Sequence, residues 1–306
     1  MTISKTKEKK GPTIHGFQKD IPHDQWLRWR RSGIGGSDAG VALGCHPYKS
    51  PLDLYLDKIA GVSDFTGNVA TEWGHRLEPV VIEAARDAHP DICGDLAELP
   101  LLSHADRPWQ QATTDMGILC GKMGPGGIEA KTALSFFSAQ AYQNGKIPPH
   151  HRAQCLHYMA VTGCQFWILA ALTEGPRFYT HIIERDEAEI EWLNEKETRL
   201  WKAMQSKDLQ YLIDGTEHTS RALLKLYPEP EERPPAAVID DAKIAKALEV
   251  YETSKAIEKA ASEDKREAEN TIKAAMGCAE EATIGGRPVS WKYTARGRRF
   301  TVKKEK

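Results

Sequence analysis

A chain of 306 residues, 41% hydrophobic and 27% charged, has the composition of a soluble globular protein and the length for one large domain or a core with an appendage. No apolar run reaches bilayer-spanning length, and the lysine-rich start MTISKTKEKKGP lacks the apolar stretch of a secretory signal, so a cytoplasmic, membrane-free setting is expected. The net charge of −2 excludes a globally basic nucleic-acid binder and leaves only local basic faces, while six scattered cysteines with no C-x-x-C pair argue against a thiolate metal site.

Residues 1–20 read as a flexible basic arm. A short helix follows over 21–31, with Asp24 as its N-cap and Trp26 on its apolar side. SGIGGSDAGVALG (32–44) reads as a glycine-rich turn opening a short helix that Ser37 caps. Helical spacing of Leu52, Tyr55, Leu56 and Ile59 predicts a helix over 50–61, stopped at Gly61. Another helix spans 70–89, where Pro79 marks a kink or a second start. The period then changes to two: LPLLSH, WQQATTDMGIL and GGIEAKTA read as strands. Residues 148–163 form a helix with proline at its start and glycine at its end. QFWILAALTEG and RFYTHIIERD read as strands around a Glu-Gly-Pro turn, and 186–205 as an amphipathic helix. The core is thus an α/β unit over 21–215, a central mixed sheet flanked by helices. A proline-rich linker is expected over 216–239. Residues 240–306 form an appendage: a long Ala/Glu/Lys helix or helical hairpin, then short strands.

The stretch GGIEAKTA places Glu129 and Lys131 on one face of a strand, with Ala130 on the other. A turn that returns Glu129 beside Asp115 brings two carboxylates together, and these repel unless a cation sits between them. All-oxygen ligation suits Mg²⁺, or Mn²⁺ in its place. Such an ion activates water toward a phosphodiester, and Lys131 orients that water or offsets phosphate charge. The bland alternative is a structural ion pair. Glu78, on a helix before an apolar face, is a third candidate ligand or a surface glutamate, and His75 lies one turn before it. Gln154 and Tyr158, at i and i+4, share a helix face and either grip DNA or hold the site strand. Arg30 and Arg31 precede the glycines, and Ser37 follows them at a helix start: a phosphate pocket, or a plain turn and cap. In the tail, Trp291 lies among basic residues that include Arg298 and Arg299, a pattern for phosphate contact and base stacking, or a solvated edge strand.

In order, RRSGIGGSDAGVALGCHPYKSPLDLYLDK, WGHRLEPVV, TTDMGIL…GGIEAKTA and GKIPPHHRAQCLHYMAVTG resemble the YqaJ-type viral recombinases. These are similar to lambda exonuclease and lie within the PD-(D/E)xK nuclease superfamily. The similarity covers about residues 20–205. It implies a restriction-endonuclease-like core and a 5′→3′ exonuclease that acts on duplex DNA ends in the presence of Mg²⁺. Such an enzyme leaves 3′ single strands for an annealing protein of the RecT or Red-beta type. It implies catalytic roles for Glu78, Asp115, Glu129 and Lys131, with the metal on Asp115, Glu129, Glu78 and the Ala130 backbone carbonyl. Arg30, Arg31, Ser37, Gln154 and Tyr158 match its DNA and 5′-phosphate contacts, and a homo-oligomer, a trimeric ring, follows by analogy. Thr114 stands where the superfamily's proline precedes the aspartate. A structure- or sequence-specific endonuclease on the same core and a non-catalytic DNA-binding or annealing protein are the competing expectations.

Overall fold

In the computed structural model, which describes residues 11–62, 67–175, 177–229 and 236–303, the chain divides into two units, 1–229 and 230–306. Among the described residues no helix is long and apolar enough to cross a membrane.

The larger unit is organised by a five-stranded mixed sheet in the order Asp95–Ala97, Met116–Cys120, Gly126–Ala133, Phe166–Thr173, Arg177–Glu184. Gly126–Ala133 pairs in parallel with Phe166–Thr173, and every other neighbour is antiparallel. Phe166–Thr173 is an almost unbroken apolar run because both of its faces are covered. On one face Ile128, Phe166, Ile168 and Ala170 pack with Val81, Ile82 and Ala85 of the helix Val69–Ala88. On the other, Trp167, Leu169 and Ala171 pack with Leu156 and Met159 of the helix Pro149–Thr162. The glycines that open Gly126–Ala133 follow from this. A Cβ at Gly127 would lie 2.3 Å from the Trp167 ring, so only glycine lets the two strands pair under that side chain.

Several expectations change. The described end of the predicted arm is tied down as an exposed edge strand: Thr13–Ile14 pairs with Leu102–Ser103, while residues 1–10 lie outside the described residues. WQQATTDMGIL is not one strand. Gln110–Ala112 belongs to a second, four-stranded sheet, and Met116–Cys120 to the five-stranded one, so the chain changes sheets at 113–115. The helix Val69–Ala88 runs unbroken through Pro79, held by its apolar side on the sheet. The predicted linker begins too early: Glu217–Leu226 is a helix capped by Thr216, whose hydroxyl accepts the Thr219 N–H, and its Ala222 is fully buried. Of the remaining linker, 230–235 lies outside the described residues. In the smaller unit Ala242–Met276 is a single helix, not a hairpin, followed by the antiparallel strands Glu281–Ile284, Arg287–Thr294 and Gly297–Val302.

Candidate active site

Met116–Cys120 pairs with its neighbour only as far as Ile128. Beyond that point the edge of Gly126–Ala133 is open, and Asp115 fills it: the Ala130 N–H donates to Asp115 Oδ2 at 2.8 Å. The N–H and C=O of one strand residue point to the same side, so the Ala130 carbonyl faces this opening too. Glu129 and Lys131 share the face turned toward the helix Pro149–Thr162, and the Lys131 ammonium donates to Glu129 Oε1. Ala130 packs on the opposite layer, as expected.

The electrostatics of the group are strained. Burial, then the Asp115 charge, push the Glu129 carboxyl up to about 8 against the pull of Lys131. Burial also raises Asp115. For Lys131 burial works downward, but Glu129 and Asp115 outweigh it and hold the ammonium above its ordinary value. The three groups are thus a cluster of ionisable side chains kept together against the cost of desolvation.

Gln154 and Tyr158 are buried, and their polar atoms serve the site from within. The Gln154 amide donates to Glu129 Oε1 at 2.6 Å and to Tyr158 Oη at 3.0 Å. Tyr158 Oη donates in turn to the Thr113 carbonyl at 2.8 Å, which pins the chain where it crosses between sheets just before Asp115. Of the two roles expected, holding the site strand is the one this burial fits, and neither side chain is presented to DNA. Tyr158 also explains a glycine: a Cβ at Gly36 would sit 2.4 Å from its ring.

Glu78 stands on Val69–Ala88, in the opposite layer. Burial, then the Asp115 charge, raise its carboxyl. With Asp115 it lines a cleft of about 740 Å³ that Trp26, Ile82, Arg86 and Met116 also border. His75 is exposed, its Nδ1 3.8 Å from Glu78 Oε2.

The glycine-rich turn is built differently from the expectation. Ser37 is exposed and caps no helix; the Asp38 carboxylate instead accepts the Gly35 N–H at 3.1 Å. Asp38 is buried and ion-paired with the equally buried Lys58 at 2.8 Å, and Lys58 also donates to the Arg30 carbonyl. Arg30 lies over the Trp26 ring, 5.4 Å from its centroid, and Arg31 is exposed. The reading from spacing missed Asp38 and Lys58, as well as the buried pair His157–Glu197 behind Tyr158. His157 is signalled only as a polar residue inside an otherwise apolar run, and Glu197 lies in a polar stretch with no signal of its own.

In the smaller unit the tail's basic and aromatic residues are sorted rather than interleaved. Arg298 lies 3.8 Å from the Trp291 ring centroid and donates to the carbonyls of Gly277, Cys278 and Ala279. Trp291 and Arg298 therefore hold the strands to the helix end, a structural role beside the DNA contact expected of them; both are half-buried and Arg299 is exposed.

Whether a cation fits here is decided by the donors. Glu129 Oε2 is buried without a hydrogen-bond partner, an exception of the kind an ion explains. Among the described residues no three His, Cys, Asp or Glu side chains form a ready cage. Mg²⁺ seldom requires one, since it keeps several waters and takes one or two carboxylates together with substrate phosphates. Asp115, Glu129 and the Ala130 carbonyl supply such hard oxygen donors.

Residues 25–165 match the family model described as the YqaJ-like viral recombinase domain. Over 292 residues the chain is 28% identical to the uncharacterized protein YqaJ of Bacillus subtilis strain 168, covering 93% of this chain and 88% of that one, so the likeness extends into the smaller unit. Among solved structures, an alkaline exonuclease from Laribacter hongkongensis is 21% identical, covers 66% of this chain and 99% of its own, and has a TM-score of 0.49. A phage-related exonuclease from Haemophilus somnus 129PT is 14% identical, covers 58% and 96%, and has a TM-score of 0.42. Glu78, Asp115, Glu129, Lys131, Gln154 and Tyr158 all lie within the segment that matches the YqaJ-like viral recombinase domain.

Proposed function

We propose that the chain is a metal-dependent deoxyribonuclease that degrades one strand of linear duplex DNA from 5′-phosphorylated ends in the 5′→3′ direction. The 3′ single strand it leaves serves homologous recombination through an annealing protein of the RecT or Red-beta type, and the enzyme works as a homo-oligomer. The observation that carries this reading is the grouping of Asp115, Glu129 and Lys131 at the open edge of one strand, with Glu129 Oε2 left unpartnered. The viral recombinase family supports the place in recombination.

Asp115, Glu129 and the Ala130 carbonyl would hold Mg²⁺ or Mn²⁺, with Glu78 reaching a ligated water. When bound, the cation supplies Lewis-acid charge to the phosphodiester and lowers the pKa of a ligated water. Lys131 keeps an ammonium beside the reacting phosphate, where it offsets charge that grows on the phosphoryl oxygens. Gln154 and the Ala130 N–H fix the two carboxylates so that neither has to reorient during reaction. Polarity rests on the exposed Arg30, Arg31 and Ser37 around the glycine turn, cations and a hydroxyl suited to a terminal phosphate.

The test uses linear duplexes with and without a 5′-phosphate, and closed circles, each with Mg²⁺ or EDTA. Degradation of phosphorylated linear duplex in Mg²⁺, abolished in Lys131→Ala, is the expected result. Nicking of closed circles would replace this reading with an endonuclease. Binding without cleavage, the same in wild type and Lys131→Ala, would replace it with a non-catalytic DNA-binding protein.

A further inference from the structure

The three-stranded sheet of the smaller unit sorts its side chains by face. In the register Val289↔Val302, Trp291↔Phe300 and Tyr293↔Arg298, paired residues share one face, while Ser290↔Thr301 and Lys292↔Arg299 share the other. The aromatic face is already occupied. Arg298 covers Trp291 at 3.8 Å, and Lys273 of the long helix lies 5.8 Å from the Trp291 centroid and 5.6 Å from that of Phe300. Rings whose faces hold the protein's own cations are poor platforms for bases.

The opposite face has a different chemistry. Lys292 and Arg299 stand directly across from each other, and like charges in that relation destabilise a sheet. Glu281 answers Lys292 through an exposed ion pair, which is worth little in water. Among the described residues Arg299 has no acid within ion-pair distance. Lys303 extends the row, its N–H bonded to the Pro288 carbonyl. From residue 281 to 303 the chain carries six Lys or Arg against one Glu, in a protein whose net charge is −2. Two facing cations flanked by the hydroxyls of Ser290 and Thr301 form a phosphate-binding pattern, since those groups are the common backbone contacts of nucleic-acid interfaces.

We infer that Lys292, Arg299 and Lys303, with Ser290 and Thr301, are a second DNA contact, outside the recombinase domain, that grips the phosphates of duplex DNA and reads no bases. This rests on the reading that the Asp115 site cuts DNA. It gives the enzyme a hold on the duplex that is independent of the end being cut.

Fluorescence anisotropy of the full chain in EDTA, on a duplex of about 40 base pairs of random sequence across a salt series, tests it; each phosphate contact contributes about 0.9 to the slope of log K against log salt. The triple variant Lys292→Gln/Arg299→Gln/Lys303→Gln is expected to flatten that slope by about 2–3 and to weaken low-salt binding by roughly tenfold or more. Its melting temperature and its Mg²⁺-dependent cleavage of saturating duplex stay at the wild-type level. An unchanged slope, with or without lost affinity, overturns the second contact while wild-type cleavage leaves the nuclease reading intact. If the wild type neither binds nor cuts DNA, both fall together.

Discussion

Gln154 donates to Glu129 Oε1 at 2.6 Å from the helix that packs across the site strand, and Glu129 accepts Lys131 on the same oxygen. One carboxylate oxygen is thus fixed by two donors, and the other, Oε2, is left free. The amide acts as a positioning group, and its removal should show in turnover rather than in DNA affinity. Gln154→Ala is expected to lower kcat by roughly 10–100-fold, the value of one hydrogen bond to a charged group, with Kd for duplex DNA near wild type. Weaker DNA binding at unchanged kcat would return Gln154 to the role of a DNA contact.

The same site sets a dependence on pH and metal. Burial and Asp115 hold the Glu129 carboxyl at about 8, above its ordinary 4.5. A carboxyl raised on folding contributes stability that is complete below about pH 4.5 and is lost as the pH climbs through about 8. A bound cation takes the place of that proton, so affinity rises with pH across this window. Thermal melts at fixed free Mg²⁺ should therefore show a larger increase in Tm at about pH 9 than at about pH 6, and Glu129→Gln should remove the difference. A shift equal at both pH values would count against Glu129 as a ligand.

Behind the glycine turn, Asp38 and Lys58 form a buried pair that also fixes Gly35 and the end of the helix His23–Arg31. Burial opposes ionisation of Asp38, yet Lys58 and Lys49 outweigh it and hold the carboxyl far below the usual range. Its stabilising effect is present above about pH 4 and is lost as the pH falls below that. Asp38→Asn leaves the buried Lys58 ammonium without its counter-ion, though still bonded to the Arg30 carbonyl, and should cost about 3–5 kcal/mol in urea unfolding. Asp38→Asn with Lys58→Met should cost less than the sum of the two single changes; strict additivity would show that the pair is not coupled.

The parts of the site that could be read from spacing are those in which partners lie close in sequence. Glu129 and Lys131 share a face because a strand alternates, Gln154 and Tyr158 because a helix turns every 3.6 residues, and Asp115 comes back through one hairpin. What spacing could not show depends on contacts between distant segments. Local pattern does not tell that Gln110–Ala112 and Met116–Cys120 enter different sheets, since both are strands either way. Nor does it tell that Gln154 faces inward or that Arg298 is held by a helix end. Lys58 finds Asp38 twenty positions away, and Glu197 finds His157 at forty, only once helices have packed.

That last pair carries a charge state that can be tested directly. His157 Nδ1 lies 2.8 Å from Glu197 Oε1, and Nε2 lies 2.9 Å from the Gln111 carbonyl. Both neighbours offer acceptor oxygens, and an imidazolium with both ring nitrogens protonated satisfies the two contacts. Burial works against that charge, but Glu197 outweighs it and raises the pKa. The stability this pair contributes is complete below the ordinary value of 6.5 and is lost as pH rises through the higher folded value. His157→Phe strands the Glu197 carboxylate, which is fully buried and otherwise bonded to Gln110 at 2.6 Å. The expected loss at neutral pH is about 3–5 kcal/mol. Nitrogen-15 NMR of the ring should show two protonated nitrogens at neutral pH. A single protonated nitrogen would mean that the ring is neutral, and the stability profile would then lose its alkaline limb.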